Sequence, residues 1–252
     1  MQIHKVRVES NIQIAENTFL LKTSAHHLAS EILPGQFCNI KVSDSYYPLL
    51  RRPFSVCDVE DESVYFMYDV HGEGTKILAE KSEDDELDIL GPLGNGFNMD
   101  GDYDAAVIVA GGIGVAPFPF FTRTLSNDKG MISFVGARNK KGLVRFGLKN
   151  VHVSTDDGSE GFKGTVIDLF EREKQLYTDK KIKVFGCGPS PMLKSLREFC
   201  LQNEYECEVS TESVMACGFG ICQGCPIQST SKDQYHLICK DGPVFNIKDI
   251  VL

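Results

Sequence analysis

DAAVIVAGGIGVAP, residues 104–117, is the stretch on which the fold turns. Ala105–Ala110 is six apolar residues with no polar alternation, the signature of a strand buried on both faces in a parallel sheet. Gly111, Gly112 and Gly114 follow at once, and Ala116 and Pro117 open a helix. Small residues at the end of a buried strand let a pyrophosphate reach backbone N–H groups at a helix start. Pro117 stands where the six-residue dinucleotide fingerprint has its third glycine. Taken alone, therefore, the motif fits a ligand-free tight turn equally well.

Downstream, MISFVGA (131–137), NVHVST (150–155), KIKVFG (181–186) and YECEVS (205–210) repeat the buried-strand pattern. Helical periodicity fills 164–176 and 189–203 between them. Strands alternating with helices predict a doubly wound parallel α/β domain over residues 101–211. VFGCGPSPM (184–192) supplies a second glycine-rich turn after a second buried strand. Gly186, Cys187, Gly188 and Pro189 thus join Gly111, Gly112 and Gly114 as one candidate nucleotide crevice.

Upstream the pattern is different. HKVRVES, GQFCNIKVS, RPFSVCDVE, SVYFMYDV and DELDIL are short segments between Gly, Pro, Asp and Ser breaks. They predict an antiparallel β-barrel or sandwich over residues 1–100, interrupted by one helix in GTKILAEK and left through the turn-rich GPLGNGF. LLRRPFSV sets Arg52 beside a strand, and Gly74 and Thr75 open the helix. An arginine and a glycine-rich helix start suit a phosphate, although an edge strand with solvated arginines accounts for the same residues.

Residues 212–252 form a third, small module. MACGFGICQGC (215–225) and Cys239 place Cys217, Cys222, Cys225 and Cys239 in Cys-x4-Cys-x2-Cys…Cys order, the plant-type 2Fe–2S spacing. The interleaved glycines let a loop wrap a cluster and turn N–H groups toward sulfur. A four-cysteine zinc site normally has two Cys-x2-Cys knuckles and here there is one. A redox dithiol in CQGC leaves Cys217 and Cys239 unused. Zinc stays open on the residues alone. The other five cysteines read as buried hydrophobes.

The chain has 252 residues and a formal net charge of −9 with no basic cluster, which excludes a nucleic-acid or anionic-membrane binder. MQIHKVRVES lacks the apolar core of a secretory signal, and the longest apolar run is too short and too glycine-rich for a bilayer. A cytoplasmic protein is expected.

Together, LLRRPFSV, GEGTK, GPLGNGF, VAGGIGVAP, TDDGSEGFKG, CGPSPML, MACGFGICQGC and CKDGPVF resemble the ferredoxin–NADP reductase superfamily over essentially the whole chain. Within it they are most similar to the electron-transfer subunits of class B dihydroorotate dehydrogenases. The resemblance implies FAD held by Arg52, Pro53, Phe54, Ser55, Met67, Tyr68, Asp69, Gly74 and Thr75. The main chain of Asp69 is expected to make its contact, with the side chain turned away. NAD is implied in the 111–114 and 186–189 turns, and a 2Fe–2S cluster on Cys217, Cys222, Cys225 and Cys239. No side-chain acid or base is required; Ser55 is the one candidate for tuning the flavin at N5, and Cys187 is read as packing near the nicotinamide. Arg138, Lys140 and Lys141 offer charge for a 2′-phosphate or a solvated loop, and the resemblance implies NAD. It also implies an FMN-containing catalytic subunit, two of each in a heterotetramer, with electrons passing from dihydroorotate to NAD in pyrimidine synthesis. Phe219 and Ile221 are the expected partner-facing residues. Small flavin subunits of sulfide dehydrogenases, hydrogenases or bifurcating transhydrogenases share these motifs, and a zinc-stabilised binding module is the reading of another class.

Overall fold

Six antiparallel strands close into a barrel at the N-terminal end of the computed structural model, which describes all residues 1–252. They are β1 (Gln2–Gln13), β2 (Thr18–Ser24), β3 (Phe37–Lys41), β4 (Arg52–Glu60), β5 (Ser63–Asp69) and β6 (Glu86–Leu93), in the order β1-β2-β5-β4-β3-β6. Alternation puts Val6, Val8, Ile40, Val56, Val64, Phe66, Leu87 and Ile89 inside. Helices α1 (His26–Glu31) and α2 (Glu73–Ala79) pack Leu28 and Leu78 against the same core.

β2 has no clean alternation because both of its faces are covered. Leu21 points into the barrel, while Leu20 joins Cys57 and Met67 against Phe118 and Phe121 of the following domain. The barrel's outer wall is thus an interdomain face. A half-buried ion pair reinforces it: Arg123 Nε and Nη2 donate to Asp58 Oδ1 and Oδ2 at 2.9 and 2.7 Å.

The second domain contains β7 (Ala105–Gly111), α3 (Phe118–Thr124), β8 (Gly130–Ala137), β9 (Val151–Thr155), β10 (Phe162–Lys163), α4 (Val166–Arg172), β11 (Ile182–Cys187), α5 (Ser190–Gln202) and β12 (Glu206–Ser210). β7 to β12 run parallel, and the chain reverses its direction of travel between β7 and β11, so both glycine turns emerge at the switch point. Thr165 and Asp168 form a reciprocal capping box that starts α4. The buried Lys183 is tolerated because Glu206, Glu208 and the Asn98 carbonyl surround its ammonium group at 2.8–3.0 Å.

Beyond β12 the chain forms the cysteine loop, a small hairpin of β13 (Pro226–Gln228) and β14 (Tyr235–Leu237), and helix α6 (Ile238–Asp241). It then returns as β15 (Val244–Asn246), antiparallel to β12 at the edge of the main sheet. Phe245, Ile247 and Ile250 share one core with Val209 and Leu196, so the C-terminal segment completes the α/β layer as well as carrying the cysteines. The barrel exit is tied to the same segment through Asn95 N–H, which donates to Gly242 O at 2.6 Å.

Candidate functional site

Where the barrel meets the parallel sheet, a cleft of about 450 Å³ opens. β4 and β5 supply one wall, Pro53, Phe54, Ser55, Met67, Tyr68 and Asp69. The two glycine turns supply the other, with Gly111, Gly112, Gly114, Cys187, Gly188 and Pro189. A wall of turn backbone leaves N–H groups accessible to a ligand. The two turns touch each other because Gly114 has no side chain: a Cβ there would lie 2.3 Å from the Cys187 carbonyl oxygen.

Asp69 Oδ1 accepts the Thr18 hydroxyl at 2.6 Å, which occupies that carboxylate locally. The half-buried Cys187 thiol is pushed up to about 12, by burial first and the Glu212 carboxylate second. A thiol so high stays protonated, which suits packing rather than nucleophilic work.

Arg52, Gly74 and Thr75 lie outside this cleft and gather at α2. A Cβ on Gly74 would approach Arg52 Nε to 2.9 Å, so the guanidinium lies on the glycine surface at the helix start. Thr75 Oγ1 closes the turn by accepting the His71 N–H at 2.6 Å and donating to Gly72 O. Gly186 is separate again. It lies under α5, where a Cβ would meet Leu196 at 2.5 Å, and its smallness serves helix–strand packing.

A second cleft, about 720 Å³, adjoins the first at Asp69, Gly111–Ile113 and Pro189. Arg138, Asn139, Asp156, Thr165 and Ser195 line it. Lys141 reaches across from the sheet domain to Glu16 on the barrel side, Nζ to Oε1 at 3.0 Å, so its charge is already paired. Lys140 is not part of the lining.

Cys217, Cys222 and Cys225 lie in the loop before β13, and Cys239 lies in α6. Cys225 and Cys239 are buried with Sγ atoms 3.2 Å apart. Cys217 Sγ accepts the N–H groups of Phe219 and Cys222 at 3.5 and 3.4 Å. Burial opposes ionisation of Cys217, yet those N–H donors with the Cys222 side chain and the Ile221 N–H bring it down to about 6. Cys239 is pushed up to about 12, chiefly by burial and then by Cys225. No group of three or more metal-binding side chains closes on one point. The N–H-lined thiolate environment nevertheless suits a cluster, whose sulfurs are stabilised by such donors. Phe219 differs from its expected outward position. It is half-buried and packs on the sheet-domain core, while Ile221 and Val214 are 77% and 88% exposed and Cys222 lies at the surface.

Several cleft residues were not anticipated. Ser210, Thr211, Glu212, Ser213 and Met215 reach the first cleft because β12 ends at the same face as β7 and β11. The signal was the buried strand YECEVS running into TES, a third strand end at the switch point. Phe37 and Pro243 come from distant segments and had no local signal. No helix is long and apolar enough to cross a membrane.

Comparison with known proteins places this geometry. The iron-sulfur cluster binding domain of dihydroorotate dehydrogenase B matches residues 212–251. The dihydroorotate dehydrogenase B (NAD(+)), electron transfer subunit of Caldanaerobacter subterraneus subsp. tengcongensis is 38% identical, covering 98% of each chain. That of Fusobacterium nucleatum subsp. nucleatum is 36% identical over 99% of each. Among solved structures, the NADH-dependent reduced ferredoxin-NADP oxidoreductase superposes with a TM-score of 0.86 at 26% identity, over 98% of this chain and 89% of that one. A ferredoxin NADP+ reductase from Neisseria gonorrhoeae with bound FAD and NADP shares the fold, with a TM-score of 0.66 at 15% identity over 80% of this chain and 92% of its own.

Proposed function

The chain belongs to the family of dihydroorotate dehydrogenase B (NAD(+)) electron transfer subunits, and from that membership we propose how its clefts and cysteine loop act as one site. It is an oxidoreductase component that uses FAD, an iron–sulfur cluster and NAD. When bound, FAD and a 2Fe–2S cluster supply what no side chain here can, the conversion between hydride exchange with NAD and single-electron transfer.

One observation carries the residue-level reading. A single cleft is lined by the barrel strands β4 and β5, by both glycine turns, and by the segment leading into the cysteine loop. In this reading Arg52, Gly74 and Thr75 hold the flavin's phosphates. Pro53, Phe54, Ser55, Met67, Tyr68 and the main chain of Asp69 hold the rest of the flavin. Gly111, Gly112, Gly114, Cys187, Gly188 and Pro189 present backbone and a protonated thiol to the nicotinamide half of NAD. Gly186 serves that crevice only through packing. The second cleft takes the remainder of the dinucleotide. Cys217, Cys222, Cys225 and Cys239 hold the cluster in a module spanning 212–252, after a flavin barrel over 1–100 and a nucleotide domain over 101–211.

We further infer a catalytic partner subunit that carries FMN and oxidises dihydroorotate, assembled two plus two in the cytoplasm. The surface around Cys222, with Ile221 and Val214 projecting, is the face for it: apolar side chains beside a surface thiol ligand suit a desolvated contact. Among flavin subunits with similar motifs, the full-length matches at 33–38% identity favour dihydroorotate as the electron source over the bifurcating oxidoreductase at 26%.

Anaerobic co-expression with an FMN-dependent dihydroorotate dehydrogenase subunit tests the proposal. The expected result is a co-purifying yellow-brown complex that reduces NAD+ in a dihydroorotate-dependent reaction. A colourless protein holding stoichiometric zinc, or a flavin–iron protein that never couples to dihydroorotate, would refute it.

A further inference from the structure

Asn39 is a polar residue with 1% exposure on β3, on the outer face of the barrel opposite Cys38 and Ile40, which point into it. Its Nδ2 donates to the carbonyl oxygen of Cys217 at 3.2 Å, while its Oδ1 is buried without a partner. A buried amide left half-satisfied is costly, so a purely structural site would favour an apolar residue. This bond is the only side-chain hydrogen bond between the barrel strands and the cysteine loop.

Its neighbours link two redox sites. Asn39 is in register with Pro53 of β4, the strand that lines the first cleft through Pro53–Ser55. At its other end it holds the Cys217–Gly218 peptide. Because a peptide is planar, fixing the Cys217 carbonyl fixes the Gly218 N–H and the direction in which the loop leaves Cys217. The loop then curls back so that the Phe219 and Cys222 N–H groups reach Cys217 Sγ. Gly218 accommodates the contact: its φ is +79°, and a Cβ there would fall 1.9 Å from Asn39 Nδ2.

We propose that Asn39 is a positioning residue for electron transfer, holding Cys217 against the flavin strand and setting the field and donor geometry at that ligand. The assignment rests on the cluster reading above. It distinguishes Asn39 from a core filler by its charge sensitivity. Asn39→Asp removes the donor and places a carboxylate beside a thiolate ligand, which disfavours adding an electron nearby. Asn39→Leu keeps the branched shape and removes the donor, together with the unpartnered Oδ1, without adding charge.

The test uses the flavin- and iron-loaded protein. Iron and flavin content, the cluster's electron paramagnetic resonance spectrum and its midpoint potential are measured for wild type, Asn39→Asp, Asn39→Leu and Gly218→Ala. Asn39→Asp is expected to shift the one-electron reduction equilibrium at least tenfold toward the oxidised cluster, about 59 mV. Asn39→Leu and Gly218→Ala, which break the same contact from its two sides, are expected to share an altered spectrum or lose iron while keeping flavin. Spectra and potentials indistinguishable from wild type would overturn the proposal, as would loss of flavin together with iron in all three variants. A wild-type protein with no 2Fe–2S signal would instead overturn the cluster reading itself.

Discussion

The Asp58–Arg123 pair should hold the N-terminal barrel and the α/β domain in register, and its strength can be worked from the contacts. Asp58 has a side chain 5% exposed, and its oxygens receive two bonds from Arg123 and one from the Val59 N–H at 2.9 Å. Arg123→Met leaves a buried carboxylate with one donor. Breaking a fully buried pair costs about 3–5 kcal/mol. Arg123 is 49% exposed, so water recovers part of that loss and about 2–3 kcal/mol remains. For a chain of this size that lowers the melting temperature by roughly 5–10 °C. Asp58→Asn should cost less, because a half-exposed guanidinium rehydrates. The double variant, with no carboxylate left to desolvate, should resemble Asp58→Asn alone, giving a coupling energy of about 2–3 kcal/mol. Calorimetry of the flavin-loaded proteins reads the stability, and NADH-driven ferricyanide reduction reads the alignment of the two walls. The KM for NADH should rise with the loss of stability, since β4 carries Pro53–Ser55 and α3 follows the Gly111–Pro117 turn. A coupling energy under about 0.5 kcal/mol, or unaltered kinetics in a destabilised Arg123→Met, would refute the latch.

Gly114→Ala should cost about 1–3 kcal/mol and raise the KM for NADH, because the new methyl meets the Cys187 backbone rather than a movable side chain. Gly112→Ala, which has no atom within 4 Å but a φ of +56°, should cost only about 1 kcal/mol in thermal melts; equal losses would show that crowding is not the constraint. Asp88 is held below the ordinary carboxylate range: burial opposes this, and bonds from Arg51 and Lys5 outweigh it. Its stabilisation is therefore full above about pH 4 and lost as pH falls through the depressed native value. Asp88→Asn should cost about 1–2 kcal/mol at pH 7 in urea titrations and progressively less below pH 4. Ile221→Asp should weaken co-purification of the catalytic subunit at least tenfold, while a conservative Phe219→Leu leaves it intact; the reverse pattern would move the partner face elsewhere.

Local chemistry made much of this protein legible. Ala105–Ala110 read as a doubly buried strand, and the spacing of Cys217, Cys222 and Cys225 has a chemical reason that does not depend on the fold. β2 escaped notice because Leu20 and Leu21 are both buried, one in each of two cores, which erases the period of two. β15 escaped because three residues of ordinary composition become a strand only when β12 offers an edge. Phe219 read as exposed from its place among ligands and glycines, yet an aromatic ring beside a core finds its free energy inward.

The sequence by itself determined the classes of site: glycine turns after buried strands, an arginine and glycine helix start, and four thiols spaced for a cluster. Each is a short-range pattern in which residue type and spacing are the chemistry. Only the tertiary structure decided how they meet. Gly114 against Cys187, Asp58 against Arg123 and Asn39 against the Cys217 carbonyl join residues 65 to 178 positions apart, and such contacts follow from strand order and barrel closure. Electron transfer depends on distance and orientation across those contacts, which no local pattern contains.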